Sequence, residues 1–160
     1  MLLESNTIEK YSLEGKFINY FGNKQNNKEE NEFKNPYGIK INSKNDYIIS
    51  DYGNDCIKIF DLNENFLFQF GSKGNNNGQF GDWTLGIEID QFDRIYVTDY
   101  YNNRIQIFES DGNFINKFGS NGNELGQFKY PSGISINNNN GNLFITDTDN
   151  HRIVKVSPSN

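Results

Sequence analysis

The chain writes one phrase three times: YIISDYGNDCIKIF (Tyr47–Phe60), IYVTDYYNNRIQIF (Ile95–Phe108) and LFITDTDNHRIVKV (Leu143–Val156). Asp51, Asp99 and Asp147 hold the same place in each copy and stand 48 residues apart. A fixed long period means one supersecondary unit copied in tandem, each copy stacking on the next to bury a surface it cannot bury alone. A residue at a repeated position therefore serves the repeat first, and function is sought where the copies differ.

Working outward, each unit contains up to four short runs with strand composition. The first is Gly-Ile-x-Ile (Gly38–Ile41, Gly86–Ile89, Gly133–Ile136). The second ends just before the repeated aspartate (Tyr47–Ser50, Ile95–Thr98, Leu143–Thr146). The third follows it (Ile57–Phe60, Ile105–Phe108, Ile153–Val156), and the fourth (Phe66–Phe70, Phe114–Phe118) closes on Gly71 or Gly119. Second runs such as IYVT and LFIT are nearly continuously apolar rather than alternating, which predicts burial on both faces. Four-stranded antiparallel sheets stacked face to face around an axis meet that demand, and this is the blade of a β-propeller. The Asp-x-x-Asn between second and third runs (Asp51–Asn54, Asp99–Asn102, Asp147–Asn150) predicts a turn held by short polar side chains on nearby amides.

The stretch Gly126–Ile153, which reads GQF-x-x-P-x-GI…LFITDTDNHRI with Asn150-His151 inside it, resembles the NHL repeat. Gly78–Phe108 resembles it almost as well, with Thr84 and Leu85 in place of the proline region, and the preceding copy is degenerate, carrying Asp55-Cys56. Units fall at about 8–36 (partial), 37–84, 85–131 and 132–156 (partial), one domain over 1–160. The segment Ile8–Phe21 reads as the third and fourth strands of an earlier blade. The expected fold is all-β, a partial propeller of about three four-stranded antiparallel blades, either open or completed by a dimer. Closed propellers usually have four to eight blades, and the resemblance implies closure with about six. A half-propeller closing as a two-fold dimer, a piece of a longer protein, and an open arc with capped ends are all compatible with this count.

Composition bounds the chemistry. The chain has no alanine, three valines and 28 asparagines, a bias towards A/T-rich codons, so the runs Asn75–Asn77 and Asn137–Asn140 read as loop filler. A net charge of −6 argues against a surface that tracks phosphates. One cysteine, Cys56, makes no internal disulfide and suits a reducing compartment. MLLESNTIEK has neither a cationic start nor a long apolar stretch, and no run approaches the ~20 apolar residues of a membrane helix. A soluble, cytoplasmic chain is the expectation.

Lyases with propellers of this type, the resemblance implies, use histidine-bound metal in the central channel. A catalytic zinc site takes about three protein ligands, and this chain has a single histidine, His151, at a repeat turn. Asp147, Asp149 and Asn150 are closely spaced oxygens, but Asp51 and Asp99 recur with other neighbours, so a turn explains them better than calcium. No metal, cofactor or catalytic residue is assigned. Arg104 and Arg152, five residues after their aspartates, are expected to pair with carboxylates in the same or neighbouring blade, phosphate binding being the sharper alternative. Asp51, Asp99, Asp147, Asn54, Asn102, Asn150, Arg104 and Arg152 are thus read as structural residues of the repeat.

The copies differ most in aromatics. In a propeller the fourth-to-first and second-to-third loops open on one face, which here carries Tyr37, Tyr52, Trp83, Tyr100, Tyr101 and Tyr130, while the opposite loops carry little beyond Phe92. Trp83 reads as lying outside the repeat consensus, in a loop one residue longer than its counterpart in the last copy. Aromatics are over-represented at binding hot spots, so these six are the candidate partner-binding residues. The same loops mix Lys24, Lys28, Lys34, Lys73 and Lys129 with Glu29, Glu30, Glu32, Asp55, Asp82, Glu124 and Asp149. Single-stranded RNA, bound by some proteins with NHL repeats, is therefore a weaker expectation than a protein or peptide, since such binding joins aromatics to a basic groove. The leading function is a non-enzymatic interaction module. The alternatives are a lyase- or hydrolase-type propeller enzyme completed by oligomerisation, and RNA binding.

Overall fold

Runs rich in Ile, Phe, Tyr and Val, punctuated by Gly, Asn and Asp, form thirteen antiparallel strands among the described residues, 6–22 and 32–158 of the computed structural model. Strands β1 (Ile8–Tyr11) and β2 (Phe17–Phe21) pair with each other. The second sheet is β3 (Pro36–Ile41), β4 (Tyr47–Asp51), β5 (Cys56–Phe60) and β6 (Phe66–Phe70), in sequential order. The third is β7 (Thr84–Ile89), β8 (Ile95–Asp99), β9 (Arg104–Phe108) and β10 (Phe114–Phe118), again sequential. The fourth holds β11 (Pro131–Asn137), β12 (Asn142–Asp147) and β13 (Arg152–Val156). This is an all-β open propeller: two complete blades, a three-stranded one after them, and before them a pair in the place of third and fourth strands. No helix among the described residues is long and apolar enough to cross a membrane.

Three apolar layers lie between successive sheets. Phe21, Phe33, Ile49 and Phe60 fill the first, Ile48, Ile57, Ile87, Val97 and Phe108 the second, and Tyr96, Ile105, Phe128, Leu143 and Ile145 the third. Phe80 and Phe128 enter this core from the loops that cross from one blade to the next, and both are fully buried. Gly71 and Gly119, at φ 94° and 99°, lead out of the outer strands, and a Cβ at either would run into the ring of Phe80 or Phe128.

Three sequence expectations need correction. First strands begin two residues before the glycine in the two complete blades, because Pro36 pairs with Asp51 and Thr84 with Asp99 across a bulge; Pro131 and Asp147 do the same in the last sheet. Arg104 and Arg152 open the third strands rather than preceding them, each paired in register with its aspartate. Burial on both faces of the second strand holds for β8, whose five residues are all buried, and fails for β12, where Phe144 and Thr146 are exposed. No sheet lies against that side of β12 among the described residues.

Candidate functional site

The repeated aspartates organise the loop face from beneath. Each is fully buried. Asp99 accepts hydrogen bonds from the Gly81 amide at 2.8 Å, Asn102 Nδ2 at 2.9 Å and Arg104 Nε at 2.7 Å. Asp147 repeats the set with the Lys129 amide at 2.6 Å, Asn150 at 2.9 Å and Arg152 Nε at 2.7 Å. These aspartates do not cap their own turns, as the sequence suggested. One carboxylate oxygen takes an amide from the inter-blade loop 17 or 18 residues earlier, tying that loop to the turn.

The arginines fasten the same loops. Arg104 donates to the carbonyls of Asn75, Asn76 and Gln79, and Arg152 to those of Asn123, Glu124 and Gln127. Their guanidinium groups are spent on carbonyl oxygens and one carboxylate, so a neighbouring-blade carboxylate is not their partner. In the remaining blade Cys56 holds the arginine position, and Lys58, two residues on, supplies the charge: its Nζ lies 3.4 Å from Asp51 Oδ2 and donates to the Glu32 carbonyl, the counterpart of Gln79 and Gln127. Burial and the nearby Asp51 push the Cys56 thiol up to about 12, so it stays protonated and unreactive at neutral pH.

The turns end on a left-handed residue, Asp55, Asn103 or His151, at φ 51°, 54° and 51°. Asn is favoured there, and Asn103 adds a bond from the Tyr130 amide to its side-chain oxygen at 2.9 Å. His151 occupies this exposed turn position, with its backbone amide bonded to the Thr148 carbonyl. No group of three or more His, Cys, Asp or Glu side chains converges to hold a metal among the described residues.

Above this scaffold five of the six singled-out aromatics meet. Trp83 lies 6.0 Å from Tyr52, 5.6 Å from Tyr100 and 5.7 Å from Tyr101, centroid to centroid. Tyr100 stacks on Tyr130 at 4.9 Å, and Tyr101 meets Tyr130 edge-on at 5.6 Å. Trp83 and Tyr101 remain 45% and 46% exposed. Burial and the nearby Asp149 raise the Tyr100 hydroxyl, keeping it a donor. Tyr37 is exposed and has no ring partner within this cluster. Lys24, Lys28, Glu29 and Glu30, also named from the sequence, lie outside the described residues. Lys73 and Lys129 pair with Asp82 and Asp149, so the rim of the cluster is of mixed charge.

Trp83 is in register with the repeat after all. It immediately precedes a first strand and takes φ 71°, as Asn35 (97°) and Tyr130 (56°) do in the other copies. The inserted residue is Asp82. Asn suits a left-handed position and bulky rings do not, so two of the three copies carry an aromatic where backbone preference would not put one. The sequence signal for this was present: Asn35, Trp83 and Tyr130 each stand one residue before the proline position.

Residues 85–157 match a protein family described as "6-bladed beta-propeller". Over 50 residues, 31% of this chain and 5% of the relative, the sequence is 42% identical to Protein brain tumor of Drosophila melanogaster. Among solved structures, the chain is similar to a streptogramin B lyase, with a TM-score of 0.67 at 16% identity over 96% of this chain and 45% of that one. It is also similar to an auxiliary nutrient binding protein from Bacteroides thetaiotaomicron, with a TM-score of 0.69 at 17% identity over 94% of this chain and 42% of that one. A protein of unknown function from Bacteroides caccae gives 0.66 at 10% identity, over 96% and 50%. The chain thus spans about half the length of these structures or less, and at such identities the likeness shows the fold. The relation to propellers of the NHL type, read first from the repeat, is supported over part of the chain.

Proposed function

We propose that this protein is a non-enzymatic interaction module that binds a protein or peptide across the surface formed by Tyr52, Trp83, Tyr100, Tyr101 and Tyr130. The observation that carries the reading is the contiguous ring cluster, half-exposed at Trp83 and Tyr101 and held on a rigid scaffold of buried Asp–Asn–Arg bonds. Aromatic surfaces of this kind supply large contact area at little conformational cost. The mixed charge of the rim favours a polypeptide over a nucleic acid, whose binding draws on uncompensated cations. The names of the similar structures, a lyase and a nutrient binding protein, describe different activities on one architecture, so the fold does not choose among them.

Trp83 is the single tryptophan of the chain, so its emission reports directly on this surface. Peptides selected from a displayed random library are expected to shift that emission. Measured by calorimetry, since Trp83→Ala removes the emission signal, Trp83→Ala and Tyr101→Ala should each weaken binding by tenfold or more, about 1.4 kcal/mol or above, with the unfolding midpoint nearly unchanged. Selection that yields no binder, or binders indifferent to both substitutions, would overturn the reading. Steeply salt-dependent binding of single-stranded RNA would reassign the surface.

A further inference from the structure

Trp83 and Tyr130 are equivalent residues of successive inter-blade loops, both held in the left-handed region at φ 71° and 56°. A bulky ring is costly there and persists only where the surrounding structure over-determines it, a pattern that clusters at active sites and ligand clamps. Each of the two rings touches both Tyr100 and Tyr101, at 5.6 and 5.7 Å for Trp83 and at 4.9 and 5.6 Å for Tyr130. Tyr100 and Tyr101 meet each other edge-on at 5.2 Å. Trp83 and Tyr130 make no ring contact between themselves, so they stand on opposite sides of the central pair. These spacings hold them no more than about 10 Å apart, close to the ~9 Å that one turn of a polyproline II helix advances.

The side-chain polar groups of this surface are there to donate. Every hydrogen bond that Tyr52, Trp83, Tyr100, Tyr101 and Tyr130 make among the described residues runs through their backbone, as in the Tyr101 carbonyl to Asn103 Nδ2 and the Tyr130 amide to Asn103 Oδ1. The four hydroxyls and the indole N–H have no partner there. Indole only donates, and a phenol below its pKa brings a proton to give. Carboxylate acceptors on the rim are already engaged. Asp82 holds Lys73 at 2.5 Å, Asp149 lies 3.6 Å from Lys129, and the opposite charges acting on Asp55 are Lys73 and Lys34.

These groups discriminate among polypeptides. A strand laid across the rings would bring an N–H with every carbonyl, and an N–H taken out of water needs an acceptor that these side chains do not supply. The rings come from turns and loops rather than from a free strand edge, so an added strand has no ladder to join. A lysine or arginine side chain would find ring faces for its charge but no uncommitted carboxylate beside them. A proline-rich segment meets each demand. Proline has no N–H. The polyproline II backbone has no internal hydrogen bonds, so its carbonyls are open to outside donors, and such helices dock in grooves lined by aromatic rings.

Resting on the reading of this cluster as a peptide-binding surface, we infer that its partner is a proline-rich segment in the polyproline II conformation. Prolines one helical turn apart lodge against Trp83 and Tyr130, and the carbonyls between them accept from the hydroxyls of Tyr100 and Tyr101. Little ordering is required on either side. The loops that carry Trp83 and Tyr130 are tied down through the Gly81 amide on Asp99 and the Lys129 amide on Asp147, and the ligand is preorganised by its own prolines. Recognition through rings and carbonyls leaves the affinity nearly independent of salt.

An oligoproline of about ten residues, roughly three turns of the helix, titrated into the 160-residue chain tests this through the emission of Trp83. A saturable shift is expected, little changed between low and high salt. Replacing the prolines with alanine returns an N–H to each residue and loosens the helix, and should abolish the shift. N-methylglycine, which lacks the N–H as proline does, should keep part of it. Tyr100→Phe and Tyr101→Phe retain both rings and remove only the donors, so together they should weaken oligoproline binding about tenfold with the unfolding midpoint unchanged. Oligoproline that leaves the emission unmoved, an alanine peptide that binds as well, or undiminished binding to the doubly substituted chain overturns the inference. Library-selected binders without proline, beside an oligoproline that fails, would overturn it and leave the peptide-binding surface standing. If no peptide of either kind binds, both fall.

Discussion

The blade β7–β10 and the sheet β11–β13 are written in nearly the same residues, yet one is closed on both sides and the other on one. Val97 and Ile145, on the side facing the preceding blade, are both fully buried. Tyr96 and Phe144, on the opposite side, part company, and so do Ile105 and Ile153. The local pattern therefore encodes a sheet meant to be covered twice, and burial is completed by a neighbour rather than by the sheet itself. Polar networks show the same divergence. Arg104 is nearly buried over Asp99, while the Arg152 side chain is 35% exposed over Asp147.

The aspartates give the sharpest break between the two. Asp99→Ala removes the acceptor for the Gly81 amide, Asn102, Gln106 and Arg104 at once and leaves a guanidinium charge without its carboxylate away from solvent. Loss of one partner of a buried pair costs about 3–5 kcal/mol. Asp147→Ala deletes the same bonds except that of Gln106, but water reaches Arg152, so the cost should fall to about 2 kcal/mol. Urea unfolding of the two variants measures the gap, and equal losses would show that the exposed face of β11–β13 is covered in solution.

Core truncation sharpens the comparison at smaller scale. Val97→Ala should cost about 1–3 kcal/mol through lost burial and a residual cavity. Phe144→Ala, at concentrations where the chain is monomeric, should cost less than about 1 kcal/mol despite removing a larger side chain, because the ring is partly in water already. Were Val97→Ala neutral, the placement of β8 in the interior would fail. Were the two losses to become comparable as the protein is concentrated, Phe144 would have acquired a cover.

Much of this was legible in the sequence because repetition amplifies weak signals. Three copies of Asp-x-x-Asn fixed the turns, and continuous runs such as IYVT announced two-sided burial. What stayed hidden was non-local. Nothing in the spacing says that Asp99 would hold a backbone amide 18 residues back rather than one of its own turn, or that Arg104 would spend its guanidinium on three loop carbonyls. Lys58 replacing the missing arginine at Cys56 is equally invisible, since it depends on two side chains entering one space from positions two residues apart on a strand. The aromatic residues were found by composition, but their convergence, and the exclusion of Tyr37, required the curvature of the arc. The left-handed slot shared by Asn35, Trp83 and Tyr130 could have been found by aligning on the first strands instead of on the aspartates.

At Thr84 the well-packed blade departs from both of its neighbours. Pro36 and Pro131 open the other first strands; Thr84 opens this one, fully buried, and its hydroxyl has no hydrogen-bond partner. A buried, unpaired hydroxyl is destabilising by about 1–3 kcal/mol relative to a paired one, whereas an apolar group of the same shape avoids that penalty. Thr84→Val keeps the β-branched shape that suits a strand and removes the unpaired group, so it should stabilise the chain by up to about 1 kcal/mol, a rise of about 2–4 °C in the unfolding midpoint for a domain near this size. The equivalent valine at Pro131 should give no such gain, because no polar atom is relieved there and the fixed φ of proline is lost. A lowered midpoint for Thr84→Val would show that the hydroxyl is satisfied in solution, which places an ordered water at the base of Trp83 and makes the floor of the aromatic surface wet rather than dry.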